Sequence, residues 1–167
     1  MMVDKNVELA LFRIKQKADS PLNEFKNVIN NEMCMITTSL IAYFATMNAS
    51  ENVLTMVGWS DAAMGNCAMI DKPIVYKIEE TGLWGDAVRE RKAVITNDYQ
   101  NLQKPTKKGY PEGHVTVIGH MNLPVMENGK VVLVAGVGNK NSEYTQKDVS
   151  DLQPIMDEAW KILKAKL

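Results

Sequence analysis

Both ends of the chain carry apolar residues at the spacing of an α-helix. Residues 4–17 mix apolar and charged side chains in this way, which predicts a first helix. The Ser20-Pro21 pair predicts the start of a second helix with Ser20 as its N-cap, because proline suits the first helical position. Thr145 and Asp148 have capping-box spacing and predict the start of a last helix. Helices are therefore expected at both ends of the chain.

Between these helices, β-branched and aromatic residues cluster in short runs that predict strands. The predicted strands are residues 37–47, 53–59, 74–78, 93–96, 116–125 and 130–137. Asn128-Gly129 is a strong hairpin signal between the last two, and Thr81 is expected to cap a short helix over residues 83–91. This order predicts an α+β fold, with a mainly antiparallel sheet of five to six strands and the N- and C-terminal helices on one face.

A long segment, residues 97–115, precedes the second hairpin and is rich in turn-forming residues. Long irregular loops inside compact domains usually carry function. This one is expected to cross the sheet face that the helices leave open, where it forms the lid of a small-ligand pocket. Its lysines Lys104, Lys107 and Lys108 are either an attractive patch for a phosphate or carboxylate ligand or part of an ordinary solvated loop.

The length and the charge balance narrow the class of protein. The 167 residues suit one domain, and 19 Lys+Arg against 20 Asp+Glu give a net charge of -1. Without a positive field, binding to nucleic acid or to an anionic membrane is disfavoured. No apolar run approaches the roughly 18 residues that cross a bilayer, and the first residues lack a signal-peptide pattern. A cytoplasmic protein with no membrane partner is expected.

The cysteines and histidines limit the chemistry. Cys34 and Cys67 are too few for a disulfide framework and lack the spacing of zinc ligands. With only two histidines, His114 and His120, no Ser-His-Asp arrangement is recognisable, and no Walker-type phosphate loop occurs. The sequence therefore excludes a structural zinc site and argues against a hydrolase.

Several strings, in their order along the chain, resemble a GAF domain. They are Thr81-Gly-Leu-Trp-Gly-Asp-Ala-Val-Arg89, Val94-Ile-Thr-Asn-Asp-Tyr99, Lys108-Gly-Tyr-Pro-Glu-Gly-His114 and Gly136-Val-Gly-Asn-Lys140. The resemblance spans residues 20–163 and is to the branch found in bacterial and archaeal sensor histidine kinases and diguanylate cyclases. It implies a GAF/PAS-like fold in which residues 20–167 form the GAF domain and residues 1–19 form a dimer or linker helix.

A second likeness lies near the C-terminal helix. Asn139-Lys140, Tyr144 and Asp148 resemble the Asn-Lys-Phe-Asp-Glu signature of cyclic-nucleotide GAF domains, with Tyr144 in place of Phe and Val149 in place of Glu. In physical terms such a motif predicts a tie between Lys140 and Asp148 that joins the last strand to the last helix. We interpret this tie as structural rather than ligand-binding.

The resemblance implies a sensory domain of a signal-transduction system that binds a small molecule and performs no catalysis. It also implies a homodimer through the terminal helices and a kinase or cyclase as output partner. The candidate ligand-binding residues are the rings and polar groups of the segments predicted to build the pocket. They are Trp59, Cys67, Tyr76, Trp84, Asn97, Asp98, Tyr99, Tyr110, His114 and His120. Asn97 and Asp98 stand at a strand end, where they either orient a ligand or form an Asx turn.

Two alternatives follow from the same resemblance. Some GAF sensors bind haem, and His114 is then the expected axial ligand, because a neutral imidazole in an apolar pocket suits haem iron. One GAF subfamily reduces free methionine sulfoxide with pocket cysteines, and Cys67 would then be the attacking thiol. The cysteine placement departs from that subfamily's cluster, and the chromophore-binding strings of phytochromes are missing.

Overall fold

The structure is a computed structural model that describes residues 2–60, 74–110 and 114–167. Its α-helices are α1 (Lys5–Gln16), α2 (Leu22–Thr37), α3 (Asp86–Arg89) and α4 (Gln146–Leu163). Its strands are β1 (Ile41–Met47), β2 (Val53–Trp59), β3 (Val75–Lys77), β4 (Val94–Thr96), β5 (His120–Glu127) and β6 (Lys130–Gly138). Two single 3-10 turns, Ile78–Glu80 and Leu83–Gly85, connect β3 to α3.

The strands form one antiparallel sheet in the order β3-β2-β1-β6-β5-β4. The β5–β6 hairpin turns at Asn128 and Gly129, whose φ angles of 52° and 77° are the positive values that a two-residue hairpin turn requires. Both predicted hairpins are present, and the α+β prediction with its antiparallel sheet is confirmed.

The two faces of the sheet have different roles because successive side chains of a strand point to opposite sides. Phe44 of β1 and Met121 of β5 are fully buried in the main core, together with α2 and α4. Their neighbours Tyr43 and Asn122 point to the other face, where they line a cavity. Helix α1 lies mainly against α4 and α2, which bury its Val7, Ala10 and Ile14.

The second helix begins and ends at other residues than predicted. Pro21, not Ser20, occupies the N-cap, and the first helical hydrogen bond runs from Phe25 N–H to the Pro21 carbonyl. At the other end Thr37 is helical, although its β-branched side chain favoured a strand. Its buried hydroxyl donates to the Met33 carbonyl at 2.7 Å, and the left-handed residue after it ends the helix.

The middle of the chain is less regular than predicted. The helix expected over residues 83–91 is reduced to α3, because Gly82 and Gly85 weaken its first turn. Thr81 does not cap it, since its hydroxyl donates to the Ile78 carbonyl at 2.6 Å. The strand expected from residue 116 begins only at His120. The residues before it bond to loop groups instead of a neighbouring strand: the Ile118 N–H donates to Asn139 Oδ1 at 2.8 Å, and the Ile118 carbonyl accepts the Tyr99 N–H at 2.9 Å.

The predicted tie between Lys140 and Asp148 is present. Lys140 Nζ lies 2.6 Å from Asp148 Oδ1, and the other carboxylate oxygen accepts the Thr145 N–H at 2.8 Å. Asp148 thus closes the capping box of α4 and joins that helix to the end of β6. Nearby, the Tyr144 and Ser39 hydroxyls lie 2.7 Å apart and connect the same segment to the end of α2.

Of the described helices, none combines the length and the apolar character that crossing a membrane requires. This finding agrees with the sequence, which shows no long apolar run.

Replacement of Asp148 by alanine tests this tie. Asp148→Ala removes a mostly buried ion pair and the carboxylate half of the capping box, so we expect the free energy of unfolding to fall by about 2 to 3 kcal/mol. Asp151→Ala is the matched control, since its ion pair is to the exposed Lys147 and contributes little to stability. Urea denaturation of both variants measures the difference. Equal losses would contradict the assigned role.

Candidate functional site

A cavity of about 250 Å³ lies on the sheet face away from the helices, beneath the lid, which we define as residues 97–110 and 114–115. The central strands form its floor, and β2, β3, the second 3-10 turn and the lid form its walls. The described lining residues are Ile41, Ala42, Tyr43, Met56, Trp59, Tyr76, Gly82, Leu83, Trp84, Tyr99, Gly109, Tyr110, His114, Val115, Val117, His120, Asn122, Gly136, Val137 and Gly138. Among them no side chain is a carboxylate, an ammonium or a guanidinium.

The structure brings most of the predicted site residues together at this cavity. Those that line it are Trp59, Tyr76, Trp84, Tyr99, Tyr110, His114 and His120. Cys67 lies outside the described residues. Sequence reasoning missed Tyr43, Met56 and Asn122. Of these, Asn122 could have been found from the sequence, because it is a polar residue within an apolar strand. A polar side chain that is buried there needs hydrogen-bond partners, and Asn122 is fully buried.

Asn97 and Asp98 do not line the cavity, and their side chains serve the backbone instead. Asn97 accepts the Tyr144 N–H at 2.7 Å and donates to the Tyr144 carbonyl at 3.0 Å, so it ties the start of the lid to the segment before α4. Asp98 accepts the backbone N–H and the amide of Asn101 within the lid. Of the two roles considered for this pair, the structure shows turn and backbone contacts.

The aromatic rings that line the cavity form two groups, one on the lid side and one on the opposite wall, and the rings within each group contact each other. On the lid side, the rings of Tyr99 and Tyr110 stack with centroids 5.5 Å apart, and Tyr110 stacks on His114 at 4.9 Å. His120 meets the edge of Tyr99 at 5.9 Å, so the lid rings reach the floor. On the opposite wall, Trp84 makes edge contacts with Tyr43 and Tyr76. Such walls favour a flat organic ligand.

The two histidines present opposite hydrogen-bonding character. His114 Nδ1 lies 2.7 Å from the Val115 carbonyl oxygen, which can only accept, so Nδ1 carries the proton. In the neutral ring, Nε2 of His114 is then the nitrogen with the lone pair.

His120 has the reverse arrangement. The Tyr43 hydroxyl donates to Asn122 Oδ1, which leaves the Asn122 amide nitrogen as the group that faces His120 Nδ1 at 2.8 Å. An amide nitrogen only donates, so Nδ1 accepts and the proton of neutral His120 sits on Nε2. Burial lowers the pKa of His120 to about 4, against a smaller raising effect of Asp86. His120 is therefore a neutral donor at physiological pH.

The hydrogen bonds that link Tyr43, Asn122 and His120 require a glycine at position 136. A Cβ atom on Gly136 would lie 2.1 Å from Tyr43 Cε1 and 2.4 Å from Asn122 Oδ1. Any side chain at this position would push the two residues apart, because real Cβ contacts are never so short. Gly136 thus gives Tyr43 and Asn122 the space to meet above the central strand.

The lid is fastened by a buried carboxylate. Asp86 of α3 has only 2% of its side chain exposed. Its carboxylate accepts hydrogen bonds from Arg89 at 2.6 Å, Lys104 at 2.7 Å and Thr106 at 2.8 Å. Burial raises the pKa of Asp86, but hydrogen bonds from Lys104, Thr106 and Arg89 together outweigh it and hold the pKa below its usual value. Two of these three partners belong to the lid, so Asp86 holds the lid against the sheet.

The lid lysines are used for internal contacts rather than as an anion patch. Lys107 donates to the carbonyls of Tyr99, Gln100 and Leu102, at 2.6 to 3.2 Å. Lys108 donates to the Glu79 carbonyl beside the cavity wall. With Lys104 paired to Asp86, the patch proposed for a phosphate or carboxylate ligand does not face the cavity.

Comparison with known proteins places these features in a family. A family model described as GAF domain matches residues 20–164. The methyl sulfide methyltransferase-associated sensor of Methanosarcina acetivorans is 43% identical over 157 residues, which cover 94% of this chain and 16% of that protein. The chain thus spans about a sixth of the length of this curated relative.

Solved structures agree on the fold. The GAF domain of a phosphoenolpyruvate-protein phosphotransferase from Coxiella burnetii has a TM-score of 0.74 at 14% identity, with 96% of this chain and 95% of that chain covered. A free methionine-R-sulfoxide reductase from Neisseria meningitidis has a TM-score of 0.69 at 11% identity, with 99% and 94% covered. Identities this low support the fold alone.

Removal of the negative charge of Asp86 is expected to loosen the attachment of the lid. Asp86→Asn keeps the shape but loses the charged hydrogen bonds from Lys104 and Arg89, so amide hydrogen exchange in residues 97–110 should rise on the order of tenfold or more. Glu90→Gln is the control, because Glu90 is exposed and lies 3.7 Å from the same Lys104. An equal rise in the β5–β6 hairpin would indicate general unfolding and contradict a lid-specific role.

The low pKa of His120 predicts a pH dependence. The folded pKa of about 4 lies below the ordinary value of 6.5, so the unfolded chain binds the proton more readily and stability falls as pH drops from about 6.5 to about 4. Between pH 7 and pH 4 this loss amounts to about 3 kcal/mol. NMR titration of the His120 ring protons measures the pKa directly. A midpoint near 6.5 would contradict the buried, neutral state.

Proposed function

The chain belongs to the GAF domain family, and on that premise we propose that it is the small-molecule-sensing domain of a signal-transduction protein, without catalysis of its own. The observation that carries this proposal is the ring-lined cavity beneath a fastened lid. A concave, mostly apolar space with a few directed polar groups is the usual form of a small-molecule site. The relative from Methanosarcina acetivorans is named a sensor, which agrees with this role.

The proposed signal leaves the cavity through the lid and the terminal helices. Asn97 ties the start of the lid to the segment before α4, and Asn139 binds the Ile118 N–H and the Thr116 carbonyl beyond its end. A ligand that binds the closed lid better than the open one therefore changes how strongly α4 is held. Since the chain spans about a sixth of that sensor's length, we place the output, a kinase or a cyclase, in a further part or partner.

The proposal includes a homodimer through the terminal helices. Helix α1 buries one face against α4 and α2 and leaves Leu9 and Phe12 on its other side, with 44% and 57% of their surface exposed. Apolar side chains three positions apart on a helix form a stripe that a second helix can cover. Helix α1 therefore contacts α4 with one side and offers its other side for pairing with a second chain.

Enzymatic reduction of methionine sulfoxide is not favoured by the described cysteine. A reductase needs a thiol of low pKa. Cys34 lies on α2, on the helix side of the sheet, and burial raises the pKa of its thiol despite a hydrogen bond with Ser60. The reductases among the similar structures share the fold only.

Haem is the second candidate ligand, and the hydrogen bond of His114 favours it. Histidines that bind metals usually donate their other ring N–H to a carbonyl or carboxylate, as His114 Nδ1 does to Val115. Nε2 of His114 would hold the iron, and the rings of Tyr99 and Tyr110 would pack beside the macrocycle. Haem would supply an iron centre that responds to redox state or to a diatomic gas.

The purified protein tests both ligands in one experiment. Native mass spectrometry should show a dimer and, if a metabolite is retained, a mass above that of two chains. Addition of hemin should shift and sharpen its absorption band near 400 nm, to an extent that depends on His114. The variants to compare are His114→Ala and His114→Gln, with Cys34→Ser as a control outside the cavity.

The outcomes separate the candidates. A hemin spectrum that is unchanged in both His114 variants excludes this residue as the haem ligand. A monomer at high protein concentration contradicts the dimer. Failure of the protein to retain or bind any small molecule, with an intact fold, contradicts the sensing function itself.

A further inference from the structure

Besides the His114 ring nitrogen and the tyrosine hydroxyls, the described lining of the cavity includes three ring N–H donors. Nε2 of His120 and the indole N–H groups of Trp59 and Trp84 have no hydrogen-bond partner among the described residues. Each of these three groups can donate and none can accept, in the protonation state that the structure gives His120. A ligand that fills the cavity must therefore bring acceptors to them, or it leaves buried donors unpaired at a cost.

The donor at His120 is fixed by the residues behind it. Tyr43 donates to Asn122, and Asn122 donates in turn to His120 Nδ1, so the imidazole proton cannot move to the nitrogen that faces the protein. Asn122 is fully buried, and these two hydrogen bonds hold both ends of its amide. His120 thus presents the same donor whatever enters the cavity.

The charges around the cavity oppose an ionic ligand. Its described lining contains no carboxylate and no Lys or Arg side chain. The nearest charged groups that act on His120, Asp86 and Lys104, are paired to each other at 2.7 Å and influence its pKa in opposite directions. Lys107 lies over the Tyr99 ring at 4.6 Å and is held by three carbonyls of the lid. Among the described residues, an ionic ligand would find no side chain of opposite charge in the lining to offset the hydration that it loses.

From these contacts we infer that the ligand class is an uncharged, flat aromatic or conjugated molecule that presents a ring nitrogen or a carbonyl oxygen to His120 Nε2. This inference rests on the proposed function, since it names the ligand chemistry of the same cavity. It goes further because it assigns the recognition step to one donor and to the Tyr43–Asn122 pair that orients it.

Four probes of nearly equal shape test the ligand class. Naphthalene has no polar atom, quinoline adds a ring acceptor, 2-naphthoate adds a negative charge and N-methylquinolinium adds a positive one. Protein NMR titration at pH 7.5 compares their affinities. Quinoline should bind about threefold to tenfold more tightly than naphthalene, because one hydrogen bond is gained, and both ions should bind more weakly than naphthalene.

A variant and a direct measurement identify the donor. His120→Phe keeps a ring but removes the N–H, so the advantage of quinoline over naphthalene should disappear. If this variant does not fold, nitrogen-15 NMR of the wild-type imidazole still decides, because the proton must reside on Nε2 of His120 and on Nδ1 of His114. A His120 ring that carries its proton on Nδ1 would overturn the inference.

The remaining outcomes are distinct. Equal affinity for quinoline and naphthalene, or tightest binding of either ion, overturns this inference and leaves the sensing function standing. Binding of none of the four probes also overturns this inference, whereas the proposed function is contradicted only if the folded protein retains and binds no small molecule at all.

Discussion

The buried carboxylate of Asp86 is the contact on which the functional face of the protein depends. A buried charge is costly unless several hydrogen bonds compensate it, and Asp86 gains them from its own helix and from the lid. Arg89, which binds it, also donates to the carbonyls of Ile78, Thr81 and Gly82, so the wall beside the cavity is held by the same group. With the lid over the sheet, Lys104 and Thr106 complete the hydrogen bonds of this carboxylate that Arg89 begins.

With the lid in this place, the sheet decides what the cavity can bind. Strand alternation sends Phe44 and Met121 to the helix side and Tyr43 and Asn122 to the lid side. Gly136 lies between them on the central strand and leaves the space that their hydrogen bond occupies. The hydrogen-bonding polarity of His120 follows from this bond, so the donor of the proposed site belongs to the strands of the floor, while the lid covers it. This division suits a domain that must bind selectively and still change shape.

The sequence predicted the fold better than the ends of its elements, for reasons visible at single residues. The hairpin at Asn128-Gly129 and the capping box at Thr145 are local signals whose partners lie within four residues, and both are confirmed. Thr37 shows the opposite case, because its β-branched side chain favoured a strand, whereas its burial and its hydrogen bond to the Met33 carbonyl decided for the last turn of α2. The aromatic residues of the site were predicted from their clustering, whereas Tyr43 and Asn122 were missed, since strand alternation alone does not say which face the lid covers.

Taken alone, the sequence determined an α+β domain, an antiparallel sheet with helices at both chain ends, and a long segment rich in rings and turns. These properties depend on composition and local spacing, which any reader of the chain can count. Only the tertiary structure decided that the side chains of Asn97 and Lys107 form hydrogen bonds with backbone groups. It also decided that His114 and His120 line the cavity with their protons on different ring nitrogens. The physical reason is that a side chain's role depends on the partners within about 3 Å of it. Those partners come from strands and loops far apart in the chain.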